Sequence, residues 1–347
     1  MFGRMMNNYY YGKSGKGDFR KEDMPETRWQ LFWDTLRTRL SALCRLNLLY
    51  MLVFIPLMIV LATNTFNILQ GANMILAAKE GTLEEYLQAN AGEGEAPTLT
   101  EEQRKALEEA DLAAILNSTI FRMLIWMIPC IAITGPFTAG FCYVTRNWAR
   151  DEHAFIWSDF KDAVKENWKH SLLLSCITSV LPLLAYVGWR FYGDMARTNA
   201  LMVVPQVLVL MIVILWSLAI TYMHPLQVSY ELKFRDLLRN GLLLAVARPP
   251  MSVGIRLLHC VPALISFAVA FLWNPIYGIL FLGAWYILIG FGISRFVTAS
   301  YTNAVFDKFI NSRMEGVKIN KGLRDPEDDD DEDDEDLRND GTENGEA

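Results

Sequence analysis

Over its longest stretches this sequence lacks charge altogether. No Asp, Glu, Lys or Arg occurs in the 33 residues between Arg45 and Lys79, the 23 between Arg122 and Arg146, or the 20 between Lys169 and Arg190. The same holds for the 33 between Arg197 and Glu231 and the 38 between Arg256 and Arg295. These runs are apolar all round, which excludes the one-sided helices of a soluble core. Cysteine is scarce: Cys44, Cys130, Cys142, Cys176 and Cys260 are scattered, odd in number and without a C-x-x-C pair. That excludes a disulfide framework and leaves packing as the role of the thiols. Catalytic patterns are missing too. The four His (His153, His170, His224, His259) form no metal-ligand spacing and no G-x-S-x-G elbow occurs. Gly12-Lys13-Ser14 lacks the glycine five positions earlier that a phosphate-binding loop needs, because Asn7 stands there. No catalytic residue, metal ligand or cofactor is therefore assigned, and the chain is read as no enzyme. The first 45 residues have no short apolar region with a cleavage site, so a cleaved signal peptide is not expected.

What is present is apolar length. Of 347 residues, 52% are apolar, and about 20 consecutive apolar residues cross a bilayer. The runs predict six transmembrane helices near 47–67, 122–144, 170–189, 202–223, 256–273 and 275–296. The last two are separated by the turn signal Trp273-Asn274-Pro275. The fold class is all-α: a polytopic membrane protein built as three helix hairpins. Lys and Arg set the orientation. The segments before the first span, after the second, after the fourth and from Arg295 onward hold 26 of the 32 basic residues. That split places both ends in the cytoplasm, and the multi-pass protein in a bacterial cytoplasmic membrane.

The chain thus divides into a cytoplasmic arm with an amphipathic helix (1–45), a six-span domain (46–297) and a cytoplasmic C-terminal segment (298–347). The net charge of −7 conceals an uneven distribution: residues 325–347 carry −13, leaving the rest at +6. Such a tail is expected to be a solvated, disordered polyanion, and its presence argues against nucleic acid as a partner. Residues 68–121 form an external insert. Its middle, Ala89 to Pro97, reads as a linker, and Thr98-Leu99-Thr100-Glu101 as a capping box opening an acidic helix that runs into the second span. Asn117-Ser118-Thr119 has the form of a glycosylation acceptor but lies almost at the bilayer.

Three cytoplasmic segments share F-x-D-x-[LV]-[KR]: Phe32 to Arg37, Phe160 to Lys165 and Phe234 to Arg239. Each precedes an outward-going span. On a helix the Phe and the Leu or Val share one face while the Asp and the base pair at i,i+3. The expectation is three short amphipathic helices on the inner membrane surface, introducing three hairpins around a pseudo-threefold axis.

Two stretches are candidate sites. Thr134, Gly135, Pro136, Thr138 and Gly140 form a seam inside the second span: the proline kinks the helix, the glycines admit a close neighbour and the threonines bond freed carbonyls. The seam reads as tight packing or as the wall of a binding cavity. The following cytoplasmic loop, with Arg150, Asp151, Glu152, Asp159, Phe160, Asn167 and Trp168, mixes charge with aromatic anchors and is a candidate surface for the membrane or a partner. His224, ending the fourth span at Pro225, and His259 lie near the inner boundary, where snorkelling is expected. No Asp or Glu outside the tail falls within a span.

The segment Thr134-Gly-Pro-Phe-Thr-Ala-Gly140, the basic and aromatic stretch after it, and Asp159-Phe160 with Asn167-Trp168-Lys169 resemble the YesL-like family of bacterial integral membrane proteins. Asn47-Leu-Leu-Tyr50 supports the resemblance. Members of that family have no established activity and accompany carbohydrate-utilisation and sugar-uptake systems. The resemblance therefore implies an accessory role, with sugar-transport or sensing membrane proteins as partners besides the lipid bilayer. A small-solute transporter or channel with a path between the hairpins is the alternative.

Overall fold

The computed structural model describes residues 24–91 and 97–324. The arm of residues 1–23, the linker centre 92–96 and the acidic tail 325–347 lie outside the described residues. All regular structure among the described residues is helical, and six helical segments are long and apolar enough to cross a membrane.

Helix α1 (Arg28–Glu80) is 53 residues long, about 80 Å at 1.5 Å per residue. Thr27 and Gln30 form a capping box at its start, each side chain accepting the other's backbone N–H. At its end Gly81 takes a left-handed conformation, φ 75°. The insert follows as α2 (Leu83–Asn90) and α3 (Glu101–Glu108). The capping box of α3 is Thr100 with Gln103, not Thr98 with Glu101. Nor does the acidic helix run into the second span. Asp111 accepts the Ala113 N–H and caps a new helix, α4 (Leu112–Ala132).

The second crossing is broken. Helix α4 stops at Ala132, and α5 (Thr134–Trp148) resumes after Ile133. The expected single helix over 122–144 is therefore two helices, with the break upstream of Pro136 rather than a kink at it. Pro136 cannot donate to the Ala132 carbonyl, and ending one helix there puts the proline in the first turn of the next, where no donor is needed.

The second hairpin comprises α6 (Ser158–Ala196) and α7 (Val203–Ser229), joined through a 3-10 turn at Ala200–Met202. Helix α7 continues through His224-Pro225 to Ser229 instead of ending there. The third hairpin begins with α8 (Phe234–Ala247) and breaks at Arg248-Pro249. It then runs out as α9 (Pro249–Leu272) and back as α10 (Pro275–Trp285). Asn274 caps α10 by accepting the Ile276 N–H, with Pro275 in the first turn. The returning arm passes through a π-helical turn (Tyr286–Gly290) into α11 (Phe291–Phe309).

Only the third F-x-D copy belongs to a separate short helix. Phe32 lies inside α1 and Phe160 in the first turns of α6, each continuous with its span. None of the three lies free on the membrane surface. Phe160 is buried, and Phe32 stacks on the buried Phe296.

The three returning segments, α5, the end of α7, and α11, meet at the centre. Each also packs outward on the leading helix of the next hairpin: α5 on α6, α7 on α8, and α11 back on α1. Two buried clusters fill this half of the bundle. Leu43, Leu46, Tyr50, Phe141, Trp148 and Phe296 form one; Leu174, Tyr222, Leu226, Leu237 and Phe306 belong to the other. The opposite half is thinly packed, with Leu264, Phe267 and Phe271 turned outward. A contiguous apolar surface of this kind suits a membrane-embedded half. The first and last described residues lie on the packed side. There Arg28 pairs with Asp307 at 2.7 Å, and Lys321 with Glu152 at 2.7 Å.

Candidate functional site

Asn47 fixes where the first and last hairpins meet. It is fully buried, and its Nδ2 donates to the carbonyls of Tyr286 (2.9 Å) and Ile287 (2.8 Å) while its Oδ1 accepts the Gly292 N–H (2.9 Å). A π turn leaves backbone groups out of the helical ladder, and one side chain satisfies them here. One turn further along α1, the Tyr50 hydroxyl meets the Thr138 hydroxyl at 2.5 Å. Thr138 in turn donates to the Thr134 carbonyl at 2.9 Å, so Tyr50 is the donor in the first bond.

Four of the five seam residues divide between two faces of α5, and Pro136 stands in its first turn. On one face a Cβ on Gly140 would lie 2.7 Å from Val164 Cγ2 and 2.8 Å from the Phe160 carbonyl, and one on Gly135 would lie 2.5 Å from Ser175 Oγ. Helix α6 therefore approaches as closely as only glycine allows. On the other face Thr134 and Thr138 line a cavity of about 330 Å³ between the three hairpins. Hairpin one adds Tyr50, hairpin two Ser175, Thr178, Thr221 and His224, and hairpin three Arg256, His259, Ser294, Arg295 and Thr298.

The cavity mixes these polar groups with apolar ones such as Phe54, Ile131, Ile220 and Phe291, and among the described residues its only ionisable groups of fixed charge are cations. Arg256 stands eight residues into α9, and Arg295 lies within α11. The two guanidinium groups are close enough to repel each other and His224. Neither histidine snorkels. His224 is 4% exposed with its Nδ1 unpartnered, and His259 Nε2 donates to the Ser294 carbonyl at 3.0 Å. Burial within the bundle, walled by α5 and α11, overrides their nearness to the boundary.

Sequence reasoning treated Arg256 and Arg295 as loop charges marking the ends of an apolar stretch, and so missed them. A usable signal was there: Arg256 precedes the Asn274 turn by 18 residues and Arg295 follows it by 21, placing both at one depth on facing arms.

The loop residues do not converge on one site. Glu152 pairs with Lys321 and lies 3.8 Å from Arg150; Asp151 takes a positive φ of 56° at the tight turn. Asp159 accepts the Phe155 N–H, while Phe160 is buried under Gly140. Asn167 offers its carbonyl to Gln227 at 2.9 Å, and Trp168 faces outward with Lys169 over its ring. Nearby, burial pushes the Tyr230 phenol up to about 12, with Asp307 adding to it, so Tyr230 remains a neutral donor to Asn311.

Residues 114–189 match the family described as "Protein of unknown function, DUF624". That match covers α4, α5 and most of α6, including the whole seam. The chain is also similar to the uncharacterized protein YesV of Bacillus subtilis (strain 168), 28% identical over 127 residues, 36% of this chain. It spans 60% of that relative's length. No solved structure matches. Neither match carries the YesL-like name.

Proposed function

We propose that this chain is a non-enzymatic protein of the bacterial cytoplasmic membrane that binds a small polar solute between its three hairpins, as a transporter or channel does. One observation carries the reading: a cavity lined by all three hairpins that gathers two arginines, two histidines and several hydroxyls among helices apolar enough to cross a membrane. Polar and ionisable groups inside a membrane domain are costly and mark solute pathways by default. A volume of about 330 Å³ lies at the lower end of small-ligand pockets and holds roughly ten waters. The excess of basic residues on the side of the chain ends supports a cytoplasmic location for both termini.

The test is native mass spectrometry of gently solubilised protein, paired with uptake into proteoliposomes. Wild type should retain a small-molecule adduct and make liposomes permeable to a component of a metabolite extract. Thr298→Trp, which fills the cavity, should do neither. Liposomes as tight as empty ones, with no adduct, would refute the reading.

A second reading is service to a carbohydrate uptake or sensing assembly. It draws on Phe155 and Trp157, each 64% exposed on the loop after α5, as anchors for a partner, and on the YesL-like resemblance. Co-purification of a stoichiometric transport subunit, lost in Trp157→Ala, is its test.

A further inference from the structure

We infer that the cavity takes a small anion, a carboxylate or a phosphate, gripped by Arg256 and Arg295. The inference rests on the solute-binding reading and adds the chemistry of what is bound.

The charges around the cavity do not balance. Two guanidinium groups and two histidines line it, and among the described residues no Asp or Glu does. Neither Arg256 nor Arg295 forms an ion pair among the described residues. The neighbours that Arg295 does have, Tyr50 and Cys142, are neutral as a phenol and a thiol. An uncompensated charge in a low-dielectric interior is destabilising, and here two cations lie close enough to repel. The arrangement calls for a counter-charge, and none of the described residues supplies one.

Unmet hydrogen bonds point the same way. Arg256 Nε is buried without a partner, and so is Nδ1 of His224, a residue 4% exposed. Both residues line the cavity. Buried polar atoms are almost always bonded, and each exception calls for a reason. An oxyanion between the two guanidinium groups would accept from Arg256 Nε and present oxygen to the imidazole edge. The planar guanidinium fork matches carboxylate and phosphate oxygens in pairs, which a lysine could not do. Hydroxyls of Thr221 and Thr298 on the adjoining wall can bond the remainder of the solute.

The same chemistry could come from a free solute or from the phosphate of an anionic lipid, and the experiment separates them. The full chain is placed in nanodiscs of phosphatidylcholine and melted with inorganic phosphate, with gluconate, and with sorbitol, the uncharged counterpart of gluconate. A parallel set contains phosphatidylglycerol and no added anion. We expect phosphate or gluconate to raise the melting temperature with saturation, and sorbitol not to. Affinity should fall at least tenfold in Arg256→Gln and Arg295→Gln and recover in part in Arg256→Lys. Without anion, both Gln variants should melt no lower than wild type, because each removes a cation without an ion pair from among the spans.

Stabilisation by sorbitol equal to that by gluconate would overturn the anion inference and leave solute binding standing. So would anion affinity unchanged in both Gln variants. Stabilisation by phosphatidylglycerol alone, abolished in the Gln variants, would uphold the anion and overturn the free solute. A clear fall in anion-free melting in both Gln variants would show that the protein itself satisfies the guanidinium groups, and would sink the inference.

Discussion

Helix α5 meets its surroundings in two opposite ways. Its glycine face is closed: Gly135 and Gly140 leave less room than a methyl group before α6 intervenes. Its threonine face is open, with Thr134 and Thr138 on the wall of a cavity that also contains two arginines. Close packing on one side holds the helix rigid, and a rigid helix can keep hydroxyls in place on the other. The contrast teaches that one short motif carries both a structural and a chemical role, on two different faces of one helix. Substitutions on the two faces should therefore have opposite signatures.

The largest effect belongs to the closed face. Gly140→Leu drives a side chain into Val164 and the backbone of Phe160. Overpacking costs about 1–3 kcal/mol, a large share of marginal stability, so melting in detergent should fall sharply. An unchanged melting temperature would remove the packing role from this face. Next comes Asn47→Ala, which loses three hydrogen bonds to the π turn and Gly292. At about 0.5–1.5 kcal/mol per bond the loss should be at least about 1.5 kcal/mol, and hydrogen exchange should quicken around Tyr286–Gly290. Exchange as slow as in wild type would show that the turn holds without its partner.

On the open face the expected balance reverses. Thr138→Val keeps the size and loses the hydroxyl that accepts from Tyr50. Stability should change by about 1 kcal/mol or less, while solute retention in native mass spectrometry should fall several-fold. A large stability loss with retention intact would merge the two faces into one packing surface. The smallest effect concerns residues 325–347: with a net charge of −13 and almost no apolar residue to bury, the segment should be removable with no measurable change in melting or membrane accumulation.

Much of this architecture can be read from the sequence, because bilayer length and charge-free runs are strong signals. The six crossings, the hairpin at Asn274-Pro275 and the glycine pair at 135 and 140 all follow from residue type and spacing. The cavity does not, for a physical reason. Reading hydropathy along the chain treats an arginine at the end of an apolar run as the membrane boundary, whereas α9 extends seven residues before Arg256 and α11 continues well past Arg295. Helix length and direction, not local hydropathy, bring those charges inside. The break at Ile133 escaped for a related reason: Pro136 marks the disturbance, but the carbonyl it leaves without a donor lies four residues earlier. The F-x-D repeat is visible in sequence, yet whether each copy continues into its span depends on the residues after it. Only the third is followed by Pro249-Pro250.

The account stands or falls on a reachable cationic cavity among the spans. The most direct measurement places one cysteine at Thr298, on the cavity wall, in a chain freed of its five native cysteines. Its reaction rates are then compared for anionic and cationic thiol reagents of equal size. We expect the anionic reagent to react at least several-fold faster, and Arg295→Gln to erase the difference. Equal rates in the parent, or a faster cationic reagent, would contradict the account.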